Sequence, residues 1–117
     1  MSYMLLIVEP IGQRRTRSES DARAAYAAMR QFADDLATDG LLVAAESLAS
    51  HDTAARVTAQ GQKAQVVDGP FAEAKEMIGG FFLLNCRTRD EALAIAVRCP
   101  AAQWCTVEVR ELAPCYA

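Results

Sequence analysis

At 117 residues and a formal net charge of −3, the chain is long enough to enclose one hydrophobic core and too short for two, so a single domain over residues 1–117 is expected. Its charges are scattered, and the one basic cluster, Arg14-Arg15-Thr16-Arg17, lies beside Glu19 and Asp21; with no extended basic face to neutralise phosphates, nucleic acid is not an expected partner. The four cysteines, Cys86, Cys99, Cys105 and Cys115, lack Cys-x-x-Cys spacing and have a single histidine to assist them, which argues against a structural metal and for buried thiols.

The first element is the apolar run Tyr3–Val8, without a basic leader and far too short to span a bilayer, so it reads as a buried strand of a cytoplasmic protein with no membrane contact. Its continuous apolar character suits a central strand covered on both faces, and Glu9-Pro10-Ile11-Gly12 stops it. From Ser18 to Asp39, Ala22, Ala25, Tyr26, Met29, Phe32, Ala33 and Leu36 recur at helical spacing, with Ser18 or Ser20 as the cap and Gly40 as the stop. Leu41–Leu48 is a second strand with Glu46 embedded in it. Arg56–Thr58 and Ala64–Val67, flanking Ala59–Lys63, predict a hairpin.

Gly79–Leu84 reads as another buried strand, its two glycines marking a bulge or a close backbone approach. Thr88-Arg89-Asp90-Glu91 fits a capping box opening a second helix that ends before Pro100. The last strand, Cys105–Leu112, turns Val107 and Val109 to one face and Glu108 and Arg110 to the other. Setting the hairpin aside leaves strand, helix, strand, strand, helix, strand, the order of a split βαβ unit with both helices on one sheet face. The other face then needs a cover, and a second copy of the chain is the economical one, giving a homodimer packed through its sheets.

The densest chemistry lies in Asp68-Gly69-Pro70-Phe71-Ala72-Glu73-Ala74-Lys75-Glu76, where three carboxylates and one of two lysines exceed what a strand connection needs. Asp68 either holds the backbone N–H groups of its own turn or serves as a general base at the mouth of a cleft. If Pro70 starts a helical turn, Glu73 and Glu76 share a side and repel, raising the proton affinity a general acid needs, while Lys75 opposes that shift. Glu46 points inward to a partner such as Arg56 or Lys75, or outward to water at a strand end. Tyr3 and Trp104 line a pocket with Phe71 or fill the core. His51, in a polar connection, is expected to be solvated unless folding carries it toward Asp68.

Across Val67–Glu76 and Gly79-Gly80-Phe81 the chain resembles the YCII-related family, in particular the subgroup named for its Asp-Gly-Pro-Phe motif. Tyr3–Ile7, Glu46-Ser47-Leu48, Asp90-Glu91-Ala92-Leu93, Pro100-Ala101-Ala102 and Val107-Glu108-Val109-Arg110 extend the likeness over nearly the whole chain. The resemblance implies a ferredoxin-like α+β fold, βαββαβ with an extra β-hairpin, pairing into a dimeric α/β barrel. It also implies a histidine–aspartate active site, at least one relative acting on a chlorinated aromatic ring, and a subgroup often found near sigma factors. Asp68 matches the aspartate; the first helix, where the histidine tends to lie, carries Tyr26 and Met29 instead.

Two functions follow as expectations. One is a small dimer that binds a small organic ligand and acts as a cofactor-free lyase or isomerase. There Asp68, Glu73 and Glu76 exchange protons, while Tyr3, Glu46, Arg56, Gly69, Pro70, Phe71 and Lys75 hold the ligand. The other is a non-catalytic sensor or accessory associated with a sigma factor. Neither requires a metal or a cofactor.

Overall fold

In a computed structural model, which describes residues 2–117, the first strand, β1 (Tyr3–Pro10), outlasts the apolar run by two residues. Tyr3, Leu5, Ile7 and Glu9 are buried on one side, whereas Met4, Leu6 and Val8 on the other stay partly exposed. Within one chain, therefore, the strand is covered on a single face. Helix α1 (Glu19–Thr38) starts where Ser18 Oγ accepts the Asp21 N–H at 3.1 Å, with Glu19 and Asp21 in the first turn, where the helix dipole favours negative charge. Gly40, at φ 74°, occupies the left-handed conformation just beyond its end.

Strand β2 (Leu42–Ser47) leads into a separate two-stranded arm, β3 (Ala55–Gln60) and β4 (Lys63–Asp68), closed by a two-residue loop in which Gly61 has φ 61°. The ladder is longer than the sequence pattern indicates, because only Gly61 and Gln62 lie outside it. Strand β5 (Glu76–Leu84) returns to the main sheet. Helix α2 (Arg89–Arg98) follows, capped by Thr88 Oγ1 on the Glu91 N–H at 3.1 Å, while the Glu91 carboxylate reaches back to the Arg87 N–H. Pro100 opens a short 3₁₀ turn, and β6 (Thr106–Glu111) completes the chain's regular structure with Val107 and Val109 half-buried and Glu108 and Arg110 exposed.

The main sheet has the order β2-β5-β1-β6 with all neighbours antiparallel, which is the ferredoxin-like arrangement of two interleaved βαβ units. Both helices pack on the face that carries Tyr3, Leu5, Ile7, Phe82 and Leu84. Phe32 and Leu36 from α1 and Ala92, Ile95 and Ala96 from α2 complete this core, with Phe32 meeting Phe82 edge-on at 5.2 Å. Only the C-terminal half of α1 is buried there. Tyr26 is 53% exposed and Ala22 is exposed, so the apolar stripe predicted to face inward along the whole helix leaves the sheet in its first half.

Cys86 and Cys99 are buried as expected of small hydrophobes, Cys105 is half-buried, and Cys115 is exposed in the C-terminal segment after β6. No helix among the described residues is long and apolar enough to cross a membrane.

Candidate functional site

The departure of α1 from the sheet opens a cleft of about 810 Å³ whose apolar walls include Ala25, Tyr26, Met29, Phe82 and Trp104. Its charged floor is a pair absent from the sequence-based candidates. Glu9 is 8% exposed at the end of β1, and Arg14 grips it through Nε–Oε1 at 2.7 Å and Nη2–Oε2 at 3.2 Å. A carboxylate taken from water needs such a partner, and the two-pronged geometry satisfies both of its oxygens.

The first glycine of the β5 pair makes room for this floor, whereas a Cβ at Gly80 would meet the Glu46 carbonyl on β2. Between Ile7 and Val8 the β1–β5 register slips, leaving Gly79 without a strand partner, and a Cβ at Gly79 would overlap the Glu9 carboxylate and the Arg14 guanidinium. Arg14 Nη2 also approaches the Gly79 carbonyl at 3.5 Å. Alternation along β1 carried the signal: Tyr3, Leu5, Ile7 and Glu9 share a face, so a carboxylate that seemed to end the strand continues its buried side.

Two further cations border the cleft. Arg17 lies over the Trp104 ring at 5.4 Å, and the Arg30 guanidinium has its proton held more firmly than usual by the Tyr26 hydroxyl and then by Asp34. Nearby, burial and the Glu9 charge push the Cys105 thiol up to about 11.

A second concavity of about 610 Å³ lies where the arm joins the sheet, bounded by Val8, His51, Arg56, Phe71, Glu76 and Met77. His51 is folded in rather than solvated: its side chain is 10% exposed, Nδ1 accepts the Phe71 N–H at 3.4 Å, and its ring meets Phe71 at 5.8 Å. Nε2 faces Asp52 at 3.7 Å, and Asp52 in turn faces Arg15 at 3.6 Å. Arg56 stacks on Phe71 at 3.8 Å and donates to Glu73 at 2.9 Å. Gly69 is required here, because a Cβ would overlap the His51 carbonyl; its N–H donates to the Ala54 carbonyl at 2.7 Å.

Among the sequence-predicted residues, Arg56, Gly69, Pro70, Phe71 and Glu73 come together in this corner, and Glu76 borders it. Asp68 ends β4 opposite Ala55, exposed, and enters none of the ion pairs among the described residues. Lys75 is exposed and contributes its carbonyl to the Ile11 N–H.

One geometric expectation is corrected, and two alternatives that the sequence left open, for Glu46 and for Tyr3, are decided. Residues 69–75 form a turn rather than a helical start, and Glu76 already belongs to β5, so Glu73 and Glu76 do not form a repelling pair. The Glu73 carboxyl is held below its ordinary value, chiefly by its own backbone N–H and then by Arg56, the opposite of what a general acid requires. Glu46 has neither Arg56 nor Lys75 as partner: it is exposed on edge strand β2 opposite Phe81. Tyr3 is buried in the core at the far end of β1, its phenol pushed up by burial and by Glu111, and it borders neither concavity. No group of three or more His, Cys, Asp or Glu side chains is placed to hold a metal among the described residues.

An antiparallel four-stranded sheet with both helices on one face is a ferredoxin-like α+β architecture. The chain belongs to the YCII-related domain family, whose model matches residues 1–115. Over 31 residues it is 58% identical to the uncharacterized protein R00369 of Rhizobium meliloti (strain 1021), a match covering 26% of this chain and 25% of that protein. Its fold is similar to that of the 5-chloro-2-hydroxyhydroquinone dehydrochlorinase of Burkholderia phenoliruptrix AC1100, solved in complex with 2,5-dihydroxybenzoquinone. The TM-score is 0.54 at 16% identity, over 97% of this chain and 94% of that one.

Proposed function

We propose that the protein is a homodimer, paired through the open faces of its sheets, that binds a small hydroxylated ring compound in the cleft between α1 and the sheet. The observation that carries the ligand reading is the Glu9–Arg14 pair, a buried carboxylate held by a half-buried guanidinium at the floor of a cleft with aromatic walls. The free N–H groups of Arg14 suit an oxyanion, the Glu9 carboxylate accepts from a ring hydroxyl, and Tyr26 and Trp104 offer flat apolar contact. The similarly folded dehydrochlorinase, solved with a dihydroxybenzoquinone, supports trying that class of compound first.

Isothermal titration with 2,5-dihydroxybenzoquinone tests this reading. Saturable binding that weakens at least tenfold in both Glu9→Gln and Tyr26→Ala is expected; no heat at millimolar ligand, or binding indifferent to both changes, removes it. Tyr26 is mostly exposed, so its truncation tests the cleft without a cost to the core.

A second reading, at the base of the arm and not in the cleft, is acid–base turnover, elimination or isomerisation, with Asp68 as the proton acceptor. It is favoured by one observation: the Asp68 turn leads directly into the corner that holds His51, Arg56 and Phe71. Asp68→Asn should then abolish product formation while leaving the fold unchanged. Binding without turnover in the unaltered protein would instead favour the sensor reading.

A further inference from the structure

Two surfaces of the chain are apolar and uncovered, and one of them is the arm. In β3–β4, Arg56 turns toward Phe71, so its face, with Thr58, Gln60, Lys63, Gln65 and Val67, looks to the chain's own turn. The opposite face pairs Val57 with Val66 and Ala59 with Ala64, and at its base Ala55 with Asp68, a single carboxylate at the edge of an otherwise apolar strip. Every arm residue is exposed; Val57 is 65% and Val66 61% accessible. An isolated two-stranded ribbon is marginal in water and needs a packed face to stay ordered. Among the described residues, the Phe71–Glu73 turn meets only the Arg56 side of the arm and leaves the Val57–Val66 side bare.

The shape of the chain says how much cover is missing. Its accessible surface is 8083 Å², against about 6,200 Å² for a folded monomer of this mass. Its Cα radius of gyration is 16.1 Å, against about 13–14 Å for a compact domain of this length. The body is a slab of 46 × 42 × 19 Å, a single layer of helices on a single sheet with an arm. The excess of roughly 1,800 Å² per chain, counted on both partners, falls inside the range of about 2,000–5,000 Å² typical of obligate homodimers.

A second copy fits this gap better than a different protein. The open sheet face carries both signs of charge, Glu46 and Glu108 with Arg110, beside its apolar Leu6, Phe81 and Leu83, as a self-complementary surface must. Stacking two slabs about a twofold axis doubles the short dimension and gives a near-isometric particle.

We infer that the Ala55–Val57–Ala59–Ala64–Val66 face of the arm grips a second copy of this chain, so that two arms clasp the dimer in addition to the sheet contact. This rests on the proposed sheet-to-sheet dimer and adds a second, separable contact to it.

The test is the mass of the full chain by analytical ultracentrifugation across a dilution series. The variant is Val57→Lys/Val66→Glu, whose opposite charges sit directly across the ladder and preserve the hairpin. The control is Val97→Lys, 77% exposed on α2. The inference expects a dimer of the unaltered chain, a rise of at least tenfold in the dissociation constant for the arm variant, and no change for the control. Amide exchange of residues 55–68 should also slow with increasing dimer fraction. A monomer at all concentrations overturns both the sheet dimer and the arm clasp. A dimer that Phe81→Glu disrupts but the arm variant does not overturns the clasp alone. Equal weakening by Val97→Lys also overturns the clasp, since the arm would then carry no specific contact.

Discussion

The cleft floor and the Asp68–Glu76 turn contain the same chemical types, a carboxylate gripped by an arginine beside an indispensable glycine, in opposite environments. At the floor, Glu9 is buried and both of its oxygens are held. In the turn, Glu73 meets Arg56 with both side chains mostly in water. Coulomb attraction between exposed partners is screened and opposed by side-chain entropy, whereas removing one partner from a buried pair strands a charge. Density of charged residues in a sequence therefore marks solvent contact at least as often as it marks a site.

The largest effect separating the two regions should come from Gly79→Val. The added carbons displace Glu9 or Arg14, and a loss of about 2–3 kcal/mol in urea unfolding is expected. A change below 0.5 kcal/mol would mean that the floor yields easily and that the contrast is unfounded.

Next is Gly69→Ala, whose Cβ meets the backbone carbonyl of His51, an atom that cannot swing aside as a side chain can. Because that contact lies at the base of an exposed arm, its loss should appear locally. Amide exchange should accelerate in residues 51–71 while the main-sheet amides keep their protection. Uniform acceleration throughout would show the arm to be integral to global stability.

Smaller again is Glu9→Gln, at about 1–2 kcal/mol, because Arg14 is left facing a neutral amide but retains some access to water. Its counterpart Glu73→Gln should leave the denaturant midpoint unchanged within error, since that carboxylate is solvent-exposed. Equal costs for the two would erase the distinction.

The smallest difference is in titration. The Cys105 value, raised to about 11 from an ordinary value near 9, means the folded state keeps its proton longer than the unfolded chain. Its contribution is thus complete below pH 9 and is lost as pH rises toward 11, which melting of Cys105→Ala against the unaltered chain should reveal as a reduced alkaline slope. Thiol labelling at pH 8 should modify Cys115 first, since Cys86 and Cys99 are buried and have raised values. Early labelling of Cys99 would indicate that α2 opens readily.

Several elements were legible because their signals are local. The α1 stripe and Ser18 cap, the Thr88 cap and the hairpin each depend on residues within a few positions of one another. The floor of the cleft was not, although Glu9 continues the buried alternation of β1. Recognising it requires knowing that the turn after β1 brings Arg14 back onto Glu9 and that Gly79, 70 positions along the chain from Glu9, leaves room for the pair. His51 was missed for the same reason. Its polar sequence neighbours suggest solvent, and only the return of residues 69–71 along the chain encloses it.

Periodicity, caps and glycine placement by themselves determined an α+β domain with two helices on one face of a four-stranded sheet, because each element's buried face is written at intervals of two or three to four residues. Tertiary structure alone decided which charges matter. Burial and partnership depend on what approaches from distant strands, and the free energy of a carboxylate is set far more by its neighbours in space than by its neighbours along the chain.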